Sequence, residues 1–190
     1  MKIKTLFLVI VFSLFLAGVS LAGTFKVDPT YSTMNFRIKH LTGVMVGIFE
    51  KFDGTFNLSE DNQDLQGLTL NIDVTSVNTR NNDRDKDLRS EHFFDTEKFP
   101  QAKFVLTKIV GDEIVGDFTM KGITKPIQGK LTINGMAVDQ YGRTKCALTI
   151  KGTINRQDFG VSHNIQTTEG KWLLSDNVDL WLELEGILEK

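Results

Sequence analysis

Residues Val178 to Glu185 read VDLWLELE, and this run decides the fold. Val178, Leu180, Leu182 and Leu184 share one parity, while Asp179, Trp181, Glu183 and Glu185 share the other. Successive side chains of an extended chain point to opposite sides, so period-two alternation marks a strand with one buried face. The same rhythm recurs upstream. Met34, Phe36 and Ile38 alternate with Asn35, Arg37 and Lys39, and Leu68, Leu70, Ile72 and Val74 alternate with Thr69, Asn71, Asp73 and Thr75. Cys146, Leu148, Ile150 and Ile154 alternate with Lys145, Thr149, Lys151 and Thr153. Val46, Ile48, Phe52, Phe56 and Leu58 share a parity, which predicts one long strand bent near Gly54.

Gly111-Asp112, Gly122, Gly135 and Tyr141-Gly142 separate several of these runs as turn signals. The pattern therefore predicts an all-β meander of about eight or nine antiparallel strands. No long amphipathic helix is available to cover their apolar faces, so the sheet must cover itself as a sandwich or a closed barrel. Closure also removes exposed strand edges. A barrel with one apolar parity throughout has an apolar interior. About eight strands can be filled by side chains or can hold a small ligand. The alternation does not decide between these two.

One stretch breaks the rhythm: Asp83 to Phe104, DRDKDLRSEHFFDTEKFPQAKF. Asn82 or Asp83 can cap a short helix there, and Asp85 and Arg89 stand at i,i+4 spacing, which predicts an ion pair. One or two helical turns fit around residues 82–90. The connection is long for an up-and-down barrel, where short hairpins are the norm. It reads as a cap, with Phe93 and Phe94 facing the interior and the charges facing water.

The first 22 residues read as a secretory signal peptide. Lys2 and Lys4 precede an apolar run from Leu6, and Ser20-Leu21-Ala22 supplies the small residues of a cleavage site. Removing 22 of 190 residues leaves 168, one domain spanning 23–190, and shifts the formal charge from −2 to −4 by loss of two lysines. No basic stripe is present, which argues against nucleic acid as a partner. Cys146 is the only cysteine. An exported chain with one thiol has no internal disulfide framework, and Cys146 reads as a small buried hydrophobe.

Chemistry-bearing motifs are few. His40, His92 and His163 stand at no spacing that makes a metal site locally. Asp83 to Asp87 resembles the start of a calcium loop. However, Leu88 occupies the position of the sharp-turn glycine, and Phe94 that of the bidentate glutamate. No nucleophile elbow, phosphate loop or H-E-x-x-H occurs. No metal and no cofactor are expected.

Four ordered segments carry a family resemblance: VDPTYSTMNFRIKH (27–40), RDKDLRSEHFFDTEKFPQAKF (84–104), GDFTMKGITKPIQGKL (116–131) and INRQDFGV (154–161). Together they resemble the YceI-like family of polyisoprenoid-binding proteins across nearly the whole mature region. Two positions depart from its pattern, since Tyr31 and Asp87 stand where histidines are common. The resemblance implies a single antiparallel eight-stranded lipocalin-like barrel, exported to the periplasm or secreted. It implies that the barrel holds a polyisoprenoid or similar long-chain amphiphile for transport or storage, with no catalysis and a possible homodimer. Phe36, Ile38, Ile48, Phe52 and Phe56 are then expected to line the cavity. So are Leu70, Ile72, Phe104, Leu106, Phe118, Leu148, Ile150 and Leu182, with Phe93 and Phe94 closing one end. His40 and Arg84 are the expected head-group contacts. Two other classes fit the same alternation: a small outer-membrane barrel with its apolar face outward, and an enzyme acting on a bound lipid.

Overall fold

The run Val178–Glu185 lies within a 15-residue strand, β11 (Leu174–Leu188), which serves as the spine of the molecule. The structure, a computed structural model, describes residues 23–59 and 64–189, so the expected signal peptide lies outside the described residues. Ten further strands precede β11. They are β1 (Gly23–Val27), β2 (Thr33–His40), β3 (Gly43–Phe49), β4 (Phe52–Leu58), β5 (Leu65–Asp73) and β6 (Val77–Asn78), then β7 (Gln101–Val110), β8 (Glu113–Met120), β9 (Ile123–Val138) and β10 (Thr144–Asn155). Among the described residues a single α-helix, α1 (Asn82–Arg89), stands between β6 and β7.

These segments form eight staves. A turn at Pro29–Tyr31 separates β1 from β2, yet both pair with β11, β1 at Gly186–Leu188 and β2 at Leu174–Glu183. In the same way β4 pairs with β1 while β3 pairs with β2, and β5 pairs with β4 while β6 pairs with β3. The order β1-β4-β5-β7-β8-β9-β10-β11 closes through the β1–β11 pairing, and every pairing is antiparallel. The expected eight-stranded closed barrel is what the chain forms.

Two local expectations are corrected. The predicted single strand through residues 46–58 is two strands, and the parity reverses at Glu50–Lys51. Met45, Gly47 and Phe49 oppose the inward Ile38, Phe36 and Met34, which leaves Val46 and Ile48 on the other face. After the break, Gly54, Phe56 and Leu58 are inward again. Gly135 is not a turn. It lies inside β9 at φ 137°, beside the register shift at Ala147/Leu148, where the left-handed backbone suits a residue without a Cβ.

Register shows where the core sits. At one end Phe25 stacks on Phe56 with ring centroids 5.1 Å apart and planes 3° from parallel. Leu58, Leu65, Cys146, Leu148 and Leu184 fill the space around them and are essentially fully buried. Going along β11 from Leu184 toward Leu174, the packing opens. The barrel is solid at the β1 end and hollow at the other. The outer wall carries ion pairs, among them Arg37–Asp179 at 2.9 Å and Lys145–Glu185 at 2.6 Å.

Candidate functional site

The hollow half encloses a cavity of about 150 Å³. β2 and β3 contribute Phe36, Ile38, Met45 and Phe49, β5 contributes Leu70 and Ile72, and β7 and β8 contribute Phe104, Ile114, Phe118 and Met120. Ile127 of β9, Ile150 and Ile154 of β10 and Leu174, Val178, Leu180 and Leu182 of β11 complete the wall. Only Asn35, Gln128 and Arg156 among its lining residues carry polar side chains. A cavity with such walls stays dry and takes apolar matter, because water inside would lack hydrogen-bond partners.

The cap closes the gap that the sheet leaves between β6 and β7. Asn81 starts α1 by accepting the Arg84 backbone N–H at 3.0 Å, one residue before the expected cap. Leu88, Phe93 and Phe94 then line the cavity, and Phe94 sits 6.0 Å from Phe49, centroid to centroid. Lys121 ties the cap down by donating from Nζ to the carbonyls of Glu91, Phe93 and Gly160. The expected Asp85–Arg89 ion pair does not form. Asp85 is buried and accepts from the Thr79 backbone N–H and hydroxyl, while Arg89 donates to the Thr75 and Val77 carbonyls. The backbone ahead of the helix needs those partners, and satisfying buried N–H and C=O groups outweighs an exposed ion pair.

Arg156, only 4 % exposed, is the charged group of the cavity wall. Its Nε donates to the Ser175 carbonyl, and one terminal nitrogen donates to the carbonyls of Val161 and His163. The other terminal nitrogen reaches Asp176 at 3.4 Å. Burial pulls the Arg156 pKa below the ordinary arginine value, and the Asp176 charge acts in the opposite direction. The residue stays protonated. It pins the chain after the turn at Arg156–Phe159 to the start of β11.

Of the residues named from sequence, Phe36, Ile38, Leu70, Ile72, Phe93, Phe94, Phe104, Phe118, Ile150 and Leu182 are brought together around the cavity. Phe56 and Leu148 point inward but lie in the solid end. Phe52 and Leu106 pack half-buried against the core outside the cavity, Leu106 beside a register shift. Ile48 is on the opposite face from the lining Met45 and Phe49, for the parity reason given above.

His40 is exposed at the end of β2, off the cavity wall. Arg84 is spent on its own loop, donating to the Thr79 hydroxyl and carbonyl at 2.7 Å each. Tyr31 and Asp87 are exposed and off the cavity wall, Tyr31 under the Lys145 ammonium at 4.4 Å from its ring centroid. Sequence reasoning missed Arg156. The signal was the segment INRQDFGV itself, where a charged residue follows an inward Ile154 at the inward parity.

Comparison with known proteins agrees with this architecture. The YceI-like domain family matches residues 25–186. Protein YceI of Escherichia coli O6:H1 is 37% identical over 184 residues, covering 93% of each chain. The crystal structure of the Campylobacter jejuni YCEI protein superposes with a TM-score of 0.68 at 28% identity, over 80% of this chain and 90% of that one. A Saccharophagus degradans structure described as a polyisoprenoid binding domain superposes with a TM-score of 0.63 at 17% identity, over 87% and 98%. The chain belongs to the YceI-like family.

Proposed function

We propose that this protein is an exported carrier that holds a polyisoprenoid or similar long-chain amphiphile in its barrel, for transport or storage in the periplasm, without acting on it chemically. The observation that carries the reading is the cavity, walled by apolar side chains from eight strands and closed over by Phe93 and Phe94. The family and the polyisoprenoid binding domain of the Saccharophagus degradans neighbour support the same class of ligand. Transfer of apolar surface from water supplies about 25 cal/mol per Å², so a chain burying a few hundred Å² gains on the order of 10 kcal/mol before the costs of binding. The charged pairs on the outer wall argue against a lipid-facing exterior.

Mass spectrometry of an organic extract of protein purified from its own host tests this. A long-chain hydrophobic molecule is expected, and its loss is expected in Phe104→Asp and Ile150→Asp but not in the exposed Lys151→Ser. Equal lipid content in all three variants would sink the cavity assignment. Export predicts that the purified chain starts at Gly23, which N-terminal sequencing reads directly.

A further inference from the structure

The rim of the hollow end carries four exposed apolar side chains. Leu41, Val44, Ile165 and Trp172 are 39, 60, 55 and 60 % exposed. The first two stand at the β2–β3 turn. The other two stand on a two-stranded arm over residues 165–173. In it the Leu173 N–H donates to the Ile165 carbonyl, Gln166 pairs with Trp172, and the Thr167 N–H donates to the Lys171 carbonyl. The Leu41 N–H donates to the Leu173 carbonyl and joins turn and arm into one rim. Leu41, Trp172 and Leu174 line one groove there, and Leu174 also lines the cavity. Val44 lies opposite Lys39, which borders the same groove.

Three features say what covers this rim. Paired residues of an antiparallel ladder share a face and their neighbours take the other, so Trp172 and Ile165 stand on opposite faces of the arm. A protein partner presents one surface and would cover one of them, whereas the fluid edge of a bilayer surrounds both. The charges around the cluster cancel: Arg37 pairs with Asp179, Lys171 with Glu169, and Lys39 shares the groove with Asp176. A neutral apolar rim with a tryptophan suits the interface between head groups and acyl chains. Leu41 has φ 49°, in the left-handed region where leucine is strained and asparagine is at ease. Strain and exposure at one residue go together where the side chain serves contact rather than folding.

We infer that this rim docks on the interfacial layer of a lipid bilayer, which is where the barrel takes up and releases its ligand. The inference goes beyond the carrier reading and rests on it only for what is exchanged. Trp172, Ile165, Leu41 and Val44 enter the layer to a depth of about 5–10 Å. The exposed Glu169–Lys171 pair at the tip of the arm stays among the head groups.

The two tryptophans supply the test, since Trp172 is on the rim and Trp181 is on the outer wall, seven residues along β11 from Leu174. Trp181→Phe leaves Trp172 as the reporter, and Trp172→Phe leaves Trp181. On phosphatidylcholine vesicles carrying a nitroxide on the upper acyl chain, Trp172 is expected to shift to shorter wavelength and be quenched, and Trp181 to do neither. Sedimentation with the vesicles is expected to survive about 500 mM salt, because apolar insertion is not screened. Leu41→Asn with Trp172→Gln is expected to weaken vesicle binding about tenfold without lowering the melting temperature. Val138→Ser, an exposed apolar position of β9 away from the rim, is expected to change nothing. Equal quenching of both tryptophans, quenching of neither, or an equal loss in Val138→Ser would overturn the docking surface. Any of these with copurified lipid retained would leave the carrier reading intact. Docking as described by a chain that yields no lipid would support the surface and overturn the carrier reading.

Discussion

Gly47 shows how single atoms shape this cavity. A Cβ at Gly47 would collide with the Phe36 ring and with the Thr79 methyl group. Gly47→Ala is expected to push Phe36 into the cavity, costing about 1–3 kcal/mol of stability, which denaturant titration reads, and lowering the amount of copurified lipid. Cys146 gives a second test at this scale. It is buried in the solid end, and burial pushes its thiol up to about 11. Since the thiolate is the nucleophile, maleimide at pH 8 is expected to leave the folded protein unlabelled and to modify it in denaturant. Fast labelling of the native state would contradict the packing described. Asp179 gives a pH effect. The Arg37 hydrogen bond, joined by that of Thr153, holds its carboxyl below the usual carboxylate range. The folded pKa lies below the unfolded one, so the stabilisation is present above the unfolded value and is lost as pH falls through the folded value. The pair is exposed, so the effect is under about 1 kcal/mol; Arg37→Leu is expected to flatten the acid limb of a stability–pH curve by that amount.

The element that does most for the site is the segment from Asn81 to Pro100. Its order depends on Asp85, whose side chain accepts from the Thr79 backbone N–H. Asp85→Ala leaves that buried donor unsatisfied, and is expected to cost about 1–3 kcal/mol and to raise hydrogen exchange across residues 79–99 more than in β10. Uniform exchange across both would contradict a locally held cap. The strands were legible because alternation is written into each run, as in Val178–Glu185. The reversal at Glu50–Lys51 was not, because Val46 and Ile48 are as apolar as Met45 and Phe49; only pairing with β2 reveals which set is inward. Arg156 was hidden for a related reason. Its partners Val161, His163, Ser175 and Asp176 are carried to it by a loop and by the start of β11, and local pattern has no access to such closure. The helix around residues 82–90 was visible from its charges, but Asp85 was assigned to water because an acceptor's buried partner is a tertiary fact.

At the scale of the whole molecule, stability and capacity are divided between the two ends. Filling the hollow half stabilises the folded state by mass action, since the unfolded chain has no cavity. Extracting the lipid is therefore expected to lower the melting temperature and re-adding a long-chain amphiphile to restore it, as calorimetry would show. An unchanged melting temperature would mean that nothing had occupied the barrel. The stacked pair Phe25–Phe56 and the leucines around it have a further consequence. They make the tube a blind one, so a chain held as proposed above meets a floor. A fixed floor makes the barrel a ruler. Affinity should rise with each added prenyl unit until the chain reaches that floor, then level off.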